Sequence, residues 1–535
     1  MRLKDGSLSA GKKILIDGQQ RVTALTAALV GQQVINKNYK QVQIRIAFNP
    51  QSEIFEVRNP AIEKDKAWIP DIAPVIQEDI GLLSLIRQYT EANDDVDEDH
   101  LERVITRLKS ITRKQIGVIE LSADLDIETV TEIFIRINRE GVTLSQADFA
   151  MSKIAANESH GGNLMRKAID YFCHLAVAPE FYAHIEKNDP DFVASDYFRA
   201  MRWLRYEQDD LYDPSYSDML RVALLSSFSR GKISDLVALL SGRNFETKRF
   251  EDEIAAESFA SLKNGIMAFM RESHFKKFLM IIQSAGFIDS SLLRSQSPLN
   301  FAYALYLKLR QMGLDQQSIE RSVRRWFVFS LLTGRYSGSI ESNFDNDIRQ
   351  VDDRGPEDCL THMEAAELSD AFWEVGLLQD LTTSNSRHPA FLTLLAAQAR
   401  DGVRGFLSKD ITVRSMIEHR GDMHHIFPKA FLKNELKLTR SQYNQVANFA
   451  VTQQEINIAI GKKPPCDYLG TVRKQCEGQK PVYGAITEMD DLRRNFGENA
   501  VPLALLDGNL DDYHDFLAAR RALMAEKIRD YYRSL

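Results

Sequence analysis

The stretch Gly421-Asp-Met-His-His-Ile-Phe-Pro-Lys429 decides how the C-terminal part of this sequence is interpreted. Two adjacent histidines and an Ile-x-Pro are followed, further along the chain, by two asparagines nine residues apart, Asn448 and Asn457. Each of these residues alone is more often a surface or turn residue. Turn asparagines have no reason to follow a His-His-Ile-x-Pro strand at this spacing, so the ordered set predicts a functional site.

The residue types in this set suit the cleavage of a phosphodiester bond. Such an enzyme must activate water, stabilise charge on the phosphate and help the 3′ oxygen to leave. A neutral imidazole can do the first, and a hard divalent cation with few protein ligands can do the other two. We therefore predict His425 as the catalytic base, with His424 and Asn457 as ligands of Mg²⁺ or Mn²⁺. Asn448 is predicted to brace two strands by side-chain to backbone hydrogen bonds, and Asp422 to support the site.

Basic residues are concentrated around the same stretch. Residues 401–480 contain 13 Lys and Arg against eight Asp and Glu, within a chain whose net charge is −8. A locally basic module in an acidic protein suits a polyanionic substrate, although a solvated face with a chance imbalance explains the charge equally well. The lysines predicted to contact phosphates are Lys429, Lys433, Lys462 and Lys463.

A second candidate site lies near the start of the sequence. Asp17-Gly-Gln-Gln-Arg21 joins a predicted strand, Lys13–Ile16, to a predicted helix, Gln20–Val30. Free backbone N–H groups and the helix dipole favour an anion at such a helix start. The pattern indicates a phosphate-binding turn in which Asp17 could hold Mg²⁺ or orient water. A simple turn is the alternative, because the sequence lacks the G-x-x-x-x-G-K pattern of a P-loop.

The 535 residues exceed what one hydrophobic core usually serves, so the sequence predicts several domains. Residues 1–157 mix strand and helix signals, residues 158–400 are dominated by helical spacing, and residues 401–535 form the C-terminal module. The clearest predicted elements, besides those above, are strands at Gln41–Phe48 and Ile116–Leu121, a capping box at Ser145–Asp148 and a last helix at Leu510–Leu535.

Composition excludes several other classes of protein. The longest apolar runs, such as Trp326–Leu332, are far shorter than the roughly 20 residues of a membrane-spanning helix. No secretory signal pattern opens the sequence, and four scattered cysteines do not form a disulfide framework. We expect a cytoplasmic protein with no membrane partner. The oligomeric state is left open, a homo-oligomer included.

The motifs together resemble a known family. The His-His stretch, with Tyr443-Asn-Gln-Val-Ala-Asn448, Ile456-Asn457 and Gly461-Lys-Lys-Pro-Pro465, resembles the HNH nuclease domain of the GmrSD-like family of modification-dependent (type IV) restriction and phage-defence proteins. The Asp-Gly-Gln-Gln-Arg turn, with Phe134-Ile-Arg-Ile-Asn138, resembles the N-terminal domain of that family, which is similar to ParB and sulfiredoxin folds. The segment Thr333–Ser339 is covered by the same resemblance.

The resemblance implies a fold class of α+β, predominantly helical, with an N-terminal ParB/sulfiredoxin-like α+β domain, a helical middle and a C-terminal ββα-metal (HNH) module. It also implies the roles given above for His424, His425, Asn448 and Asn457. The nucleotide-binding residues that it implies are Asp17, Gly18, Gln19, Gln20, Arg21, Arg136 and Asn138. Family members carry a further segment before the Asp-Gly-Gln-Gln-Arg turn, so we expect the first domain to be N-terminally truncated relative to the family.

The sequence thus predicts an NTP-regulated, metal-dependent DNA endonuclease of the modification-dependent restriction and anti-phage defence type, with DNA and a nucleotide as its partners. Two alternatives remain. One is a non-catalytic ParB-like DNA- or nucleotide-binding regulator with a vestigial nuclease motif. The other is an RNA-directed nuclease, because a site that reads phosphate geometry says little about the sugar.

Overall fold

The computed structural model describes residues 18–35, 41–94, 96–122, 133, 145–207, 209–419, 421–510 and 512–535. The chain divides into two compact units, Met1–Leu144 and Ser145–Leu535. The described residues are mostly helical, with six short strands in three two-stranded sheets. The prediction of an α+β chain that is predominantly helical is therefore confirmed. The predicted strand Lys13–Ile16 lies outside the described residues.

The first unit contains two small antiparallel hairpins and four helices among its described residues. The strands are β1 (Gln33–Ile35), β2 (Gln41–Gln43), β3 (Ile46–Asn49) and β4 (Ile54–Val57), and the helices are α1 (Gln19–Val30), α2 (Ala73–Ile76), α3 (Leu82–Ala92) and α4 (Glu98–Lys109). β1 pairs with β2, and β3 pairs with β4. The core of this unit joins Phe48 on β3 to Tyr89 on α3 and Ile105 on α4.

The strand predictions for this unit hold only in part. The run Gln41–Phe48 is divided between two hairpins, because its first residues pair with β1 while its last residues pair with β4. The predicted strand Ile116–Leu121 is wrong, since the segment pairs with no strand of the described chain and Ile116, Val118 and Ile119 are 71–78% exposed. A strand is stabilised by pairing with another strand, and none of the described strands pairs with this segment.

The second unit has one continuous hydrophobic core. Its helices, in chain order, are α5 (Gln146–Ala156), α6 (Gly162–Val177), α7 (Tyr182–Asn188), α8 (Pro190–Val193), α9 (Asp196–Ala200), α10 (Tyr216–Phe228), α11 (Ile233–Leu240), α12 (Asp252–Met270), α13 (Glu272–Ser284), α14 (Ser297–Gln311), α15 (Gln316–Leu332), α16 (Ile340–Arg354), α17 (Pro356–Glu367), α18 (Leu377–Asp380), α19 (Pro389–Arg400), α20 (Val413–Glu418), α21 (Lys429–Asn434), α22 (Arg440–Tyr443), α23 (Gln454–Ile460), α24 (Pro465–Cys476), α25 (Met489–Glu498), α26 (Leu503–Leu506) and α27 (Tyr513–Arg533).

Local sequence signals start several of these helices as expected. Ser145 and Asp148 form the predicted capping box of α5, each accepting a hydrogen bond from the other's backbone N–H. Ser215 and Asp218 open α10 in the same way. The central helices α14 and α15 pack on each other, and Trp326 on α15 is fully buried.

The division of the chain falls earlier than the first predicted domain boundary. The sequence places residues 1–157 in the first domain, whereas α5 packs on α6 and α11 inside the second unit. The second unit also holds the predicted helical middle and the C-terminal module around one core. The predicted boundary at residue 400 therefore separates two parts of a single compact unit.

The segment Thr333–Ser339 links three helices of the helical middle. The guanidinium of Arg335 donates to both carboxylate oxygens of Asp347 and also to Glu367. Tyr336 donates its hydroxyl to the same Asp347, whose side chain is fully buried. These bonds satisfy a buried carboxylate and fix the end of α15 against α16 and α17.

Two strands and a helix carry the predicted C-terminal site. β5 (Asp422–His425) and β6 (Phe449–Thr452) pair antiparallel, with His424 opposite Ala450 and His425 opposite Phe449. Helix α23 follows β6 and contacts β5. This part of the chain thus has a pair of antiparallel strands followed by a helix, with α21 and α22 between the strands, and its assignment as an HNH module stays a prediction.

Candidate active site on two strands and a helix

His424 and His425 lie next to each other on β5 and contact different neighbours. Successive residues of a strand point to opposite faces. His424 contacts the side chain of Asn457 on α23, whereas His425 contacts Asn444, which directly follows α22. Each histidine is thus paired with the side-chain oxygen of one asparagine.

The imidazole of His424 is almost completely buried, with 2% of its surface exposed. Its Nδ1 lies 2.7 Å from Oδ1 of Asn457, and its ring stacks near Phe406 and meets the edge of Tyr468. Burial lowers the pKa of His424 to about 4, against the hydrogen bond to Asn457, which raises it. Its Nε2 is buried without a hydrogen-bond partner in the described part of the chain. His424 is therefore a neutral imidazole with one ring nitrogen that no described protein group uses.

The donors of His424 and Asn457 fit a divalent cation. Neighbouring ligand atoms around an octahedral Mg²⁺ are roughly 3 Å apart, which is close to the 2.7 Å between Nδ1 and Oδ1. The two ring nitrogens of an imidazole point away from each other, so an ion held by Nδ1 and Oδ1 would leave the unpartnered Nε2 uninvolved. Within the described residues no group of three or more His, Cys, Asp and Glu could hold a metal ion, so water and substrate oxygens would complete the coordination shell.

His425 is half-buried, and its ring is held from two sides. Nε2 lies 2.9 Å from Oδ1 of Asn444, and the edge of the ring packs on Phe449 at 4.9 Å between centroids. Burial lowers the pKa of His425, the bond to Asn444 opposes this, and the charge of Lys429 adds to the lowering. The imidazole is therefore neutral at physiological pH, as a proton acceptor must be.

The side chain of Asn448 bonds the backbone of the segment that follows β5. It is fully buried. Its Oδ1 accepts from the backbone N–H of Phe427 at 2.8 Å, and its Nδ2 donates to the Phe427 carbonyl at 3.0 Å. The backbone carbonyl of Asn448 accepts from the N–H of Ile426. These bonds fix the Ile-Phe-Pro segment, which follows the histidines, against the start of β6.

The predicted phosphate-contacting lysines are all exposed, but two of them have aromatic neighbours. The ammonium of Lys429 lies over the ring of Tyr443, next to Asn444. Lys463 donates to the hydroxyl of Tyr483. Lys433 is at the end of α21, and Lys462 follows α23. For Asp422 the structure gives the backbone position on β5, opposite Thr452.

Sequence reasoning gives no role to two residues that hold the site. Asn444 belongs to the Tyr443–Asn448 stretch that carries the family resemblance, and its acceptor oxygen reaches His425. Arg520, on α27, is fully buried and donates to the carbonyl of Ala447, directly before Asn448. Asn444 ends a one-turn helix, where no periodic pattern marks it. No local pattern predicts the role of Arg520, because it lies 73 residues from Ala447 in the sequence.

The N-terminal candidate site is described only in part. Gly18 has φ 79°, a left-handed conformation that favours glycine, and it directly precedes α1. Gln19 begins that helix, and Gln20 and Arg21 are exposed on it. Asp17, Arg136 and Asn138 lie outside the described residues. The turn into a helix is thus confirmed, and the assembly of the predicted nucleotide-binding set stays a prediction.

Comparison with known proteins identifies the N-terminal region. Residues 3–155 match the family described as GmrSD restriction endonuclease, N-terminal domain, so this region of the chain is similar to that domain. The resemblance to GmrSD-like proteins is confirmed on this ground. The match ends before the His-His stretch, so the C-terminal site is not part of it.

One curated relative is an uncharacterized protein of Methanocaldococcus jannaschii, 26% identical over 226 residues. The match covers 38% of this chain and 36% of that protein, about a third of the relative's length. No solved structure matches the chain. Among the described residues, no helix is both long and apolar enough to cross a membrane.

Proposed function

We propose that this chain is a metal-dependent endonuclease that cuts DNA through the site on β5, β6 and α23, as part of the restriction of foreign DNA. The observation that carries the proposal is the pair of adjacent, neutral histidines, each bonded to one asparagine oxygen. The N-terminal domain family supports it, because that family is described as part of a restriction endonuclease.

His425 is the proton acceptor in this proposal. Its pKa is lowered by burial, so at neutral pH the ring can take a proton from an attacking water. Phe449 and Asn444 hold the ring in one orientation, which reduces the entropy lost on reaching the reactive geometry. Lys429, beside His425, would contact a phosphate at the same face.

His424 and Asn457 would hold a Mg²⁺ or Mn²⁺ ion. Such an ion, when bound, stabilises the charge on the phosphate and on the leaving oxygen. Both side chains are held in place by their surroundings. His424 is enclosed by Phe406 and Tyr468, and Asn457 lies on a helix that contacts β5. Asn448 keeps the segment after the histidines in place.

Plasmid cleavage tests the activity. Wild-type protein with Mg²⁺ or Mn²⁺ is expected to nick or linearise supercoiled DNA, and His425→Ala should lower the rate by about 10²–10⁴-fold. Asn434→Ala, an exposed change at the end of α21, should leave the rate unchanged. Cleavage of tRNA but not of plasmid would assign the site to RNA. Binding of DNA without any cleavage would favour the non-catalytic regulator.

The N-terminal domain is proposed to gate this activity through a bound nucleotide. An unregulated nuclease would damage the DNA of its own cell, and a phosphate-binding turn before α1 offers a control point. Nucleotide should therefore change the cutting rate, and Asp17→Ala should remove that response. Asp79→Ala, an exposed change in the same unit, is the matched control. Identical cutting with every NTP, in both wild type and Asp17→Ala, would contradict gating.

Recognition of modified DNA is proposed to reside outside the β5–β6 site. Phosphate contacts position a nucleic acid without reading its bases. A digestion panel of modified and unmodified DNA, with and without NTPs, measures the preference directly. Equal cutting of all DNAs in the panel would remove the modification-dependent part of the proposal.

A further inference from the structure

The contact between His425 and Asn444 defines which ring nitrogen carries the proton. Asn444 directs its carbonyl oxygen, Oδ1, at Nε2 of His425 over 2.9 Å. A carbonyl oxygen can accept a hydrogen bond but cannot donate one. The hydrogen must therefore sit on Nε2, and in the neutral ring the lone pair is left on Nδ1.

Asn444 is itself held in place by its neighbours in the chain. Its backbone N–H donates to the carbonyl of Arg440 and ends α22. The preceding carbonyl, of Tyr443, accepts from the hydroxyl of Tyr513 at 3.2 Å and from Nδ2 of Asn448 at 3.4 Å. The backbone that carries Asn444 is therefore fixed by two other side chains, one of them from the C-terminal helix.

Phe449 is the second contact that restricts the His425 ring. Phe449, directly opposite on β6, meets the ring edge-on at an interplanar angle of 79°. A flip of the imidazole would break the bond to Asn444 inside a half-buried site, which is unfavourable. One ring orientation and one tautomer are thus selected together.

We infer that Asn444 is a positioning residue that fixes His425 as the Nε2–H tautomer, so that Nδ1 is the atom that accepts the proton. The assignment of a tautomer rests on the contact alone. The assignment of Nδ1 as the accepting atom also rests on the proposed function.

In the metal-free chain, the two histidines of β5 then carry their protons on opposite nitrogens. Asn457 faces Nδ1 of His424, which leaves the lone pair of that ring on Nε2. Asn444 faces Nε2 of His425, which leaves the lone pair on Nδ1. Two similar asparagine contacts therefore leave a different ring nitrogen free to accept a proton or bind a metal in each histidine.

Ring nitrogen NMR tests the tautomer without requiring any activity. The full chain is labelled with ring-¹⁵N histidine, kept metal-free, and the His425 signals are assigned by their loss in His425→Gln. Wild type is expected to show a protonated Nε2 and an unprotonated Nδ1. Asn444→Leu, which keeps a similar volume but removes the acceptor, should show a mixture of both tautomers. A protonated Nδ1 in wild type, or an unchanged spectrum in Asn444→Leu, would overturn the inference.

Kinetics test whether the positioning matters for the reaction. Asn444→Leu should lower kcat by roughly 10–100-fold, with little change in KM for plasmid, as losses of orienting partners do. Asn444→Asp restores an acceptor and should recover most of the kcat. Asn434→Leu is the exposed control and should resemble wild type.

These outcomes separate the two hypotheses. If the wild-type chain cuts no nucleic acid, the proposed function fails, while the NMR spectra still decide the role of Asn444. If wild type cuts and Asn444→Leu cuts equally well, the positioning role is lost and the nuclease assignment survives. A loss of kcat in Asn444→Leu that Asn444→Asp does not recover would reduce Asn444 to a packing residue.

Discussion

Asn448 binds both backbone groups of Phe427, accepting from its N–H at 2.8 Å and donating to its carbonyl at 3.0 Å. One side chain thus closes a ring of two hydrogen bonds with a residue 21 positions earlier, immediately after the two histidines and Ile426. The contact is buried, so water cannot replace it. This one amide therefore satisfies both backbone groups of Phe427.

The first prediction is that Asn448→Ala destabilises the second unit. The substitution leaves the N–H and the carbonyl of Phe427 buried without partners, at about 1–3 kcal/mol each. We expect unfolding at a lower urea concentration. Tryptophan fluorescence measures it, because Trp203, Trp326 and Trp373 lie in this unit. Asn434→Ala should change the free energy of unfolding by less than about 0.5 kcal/mol. A loss of similar size in both variants would contradict the brace.

The second prediction separates metal binding from proton transfer. Asn457→Ala should weaken the affinity for Mn²⁺ by at least about tenfold, because the side-chain oxygen is one of two protein donors. His425→Ala should bind Mn²⁺ almost as wild type does, since its ring contacts Asn444 and not Asn457. Isothermal titration calorimetry measures both. If the effects of the two variants were exchanged, the roles of the two histidines would be exchanged as well.

The third prediction concerns the dependence of stability on pH. Burial raises the pKa of Asp213 to about 6, and the charges of Asp210 and Asp209 add to the effect. The folded state then holds this proton at pH values where the unfolded chain has already lost it. The stability from this group is fully present below about pH 4 and is lost as the pH rises through 6.

Asp213→Asn should therefore stabilise the protein above pH 7 and have little effect near pH 4. The shift would correspond to about 3 kcal/mol if it were undiminished, but Asp213 is partly exposed, so we expect about 1–2 kcal/mol after solvent screening. Urea midpoints at pH 4.5 and pH 8 check it. Asp210→Asn should give a smaller gain in the same direction, because it removes only a repelling neighbour. A gain for Asp213→Asn that did not change with pH would exclude the titration of this group as its cause.

The fourth prediction concerns DNA binding by the lysines after α23. Each lysine that neutralises a phosphate releases counterions and adds about 0.9 to the log–log slope of affinity against salt. Lys462→Ala should weaken binding to all DNA sequences and flatten the slope by up to about one unit. The ammonium of Lys463 is already bonded to Tyr483, so Lys463→Ala should change the slope less.

Affinities across a salt series, with modified and unmodified DNA, measure both effects. The preference for modified DNA should survive in both variants, because recognition is placed elsewhere in the chain. An unchanged slope in Lys462→Ala would remove this lysine from the interface. A lost preference would move recognition into the β5–β6 module.

Much of the C-terminal site is predictable from the sequence because its signals are local. A short strand of His-His-Ile-x-Pro, an apolar strand after Asn448 and a helix start near Gln453 lie within about forty residues. The observed pairing of β5 with β6 and the reach of Asn457 to His424 follow from that order. The role of Asn444 escapes prediction, since a residue at the end of a one-turn helix has no periodic pattern to mark it.

The first unit is harder to predict because strand formation there depends on partners. Gln41–Phe48 alternates as a single strand would, yet its two ends pair with different strands. Ile116–Leu121 has equally strong strand residues but forms no strand pair within the described residues, and its Ile116, Val118 and Ile119 stay exposed. Residue preferences describe what a segment could do, and pairing decides what it does.

The C-terminal helix α27 touches both the site and the helical bundle. Near its start, Tyr513 donates to the carbonyls of Gln442 and Tyr443. Arg520 donates to the carbonyls of Ala447, Asn499 and Ala500. Near its end, Ser534 accepts from Arg400 of α19, and Tyr531 donates to the carbonyl of Ala285.

This helix determines how long a segment must be if the C-terminal module is to be transferred to another protein. A graft ending before Tyr513 would carry both histidines and all three asparagines but lose the hydrogen bonds that Tyr513 and Arg520 donate to the carbonyls beside Asn444 and Asn448. A graft that includes the helix would bring along a surface shaped for α19, which a foreign scaffold must match. The segment that must be transferred as a unit is therefore longer than the segment that holds the histidines and asparagines. Chimaeras that end directly after Asn457 should fold poorly.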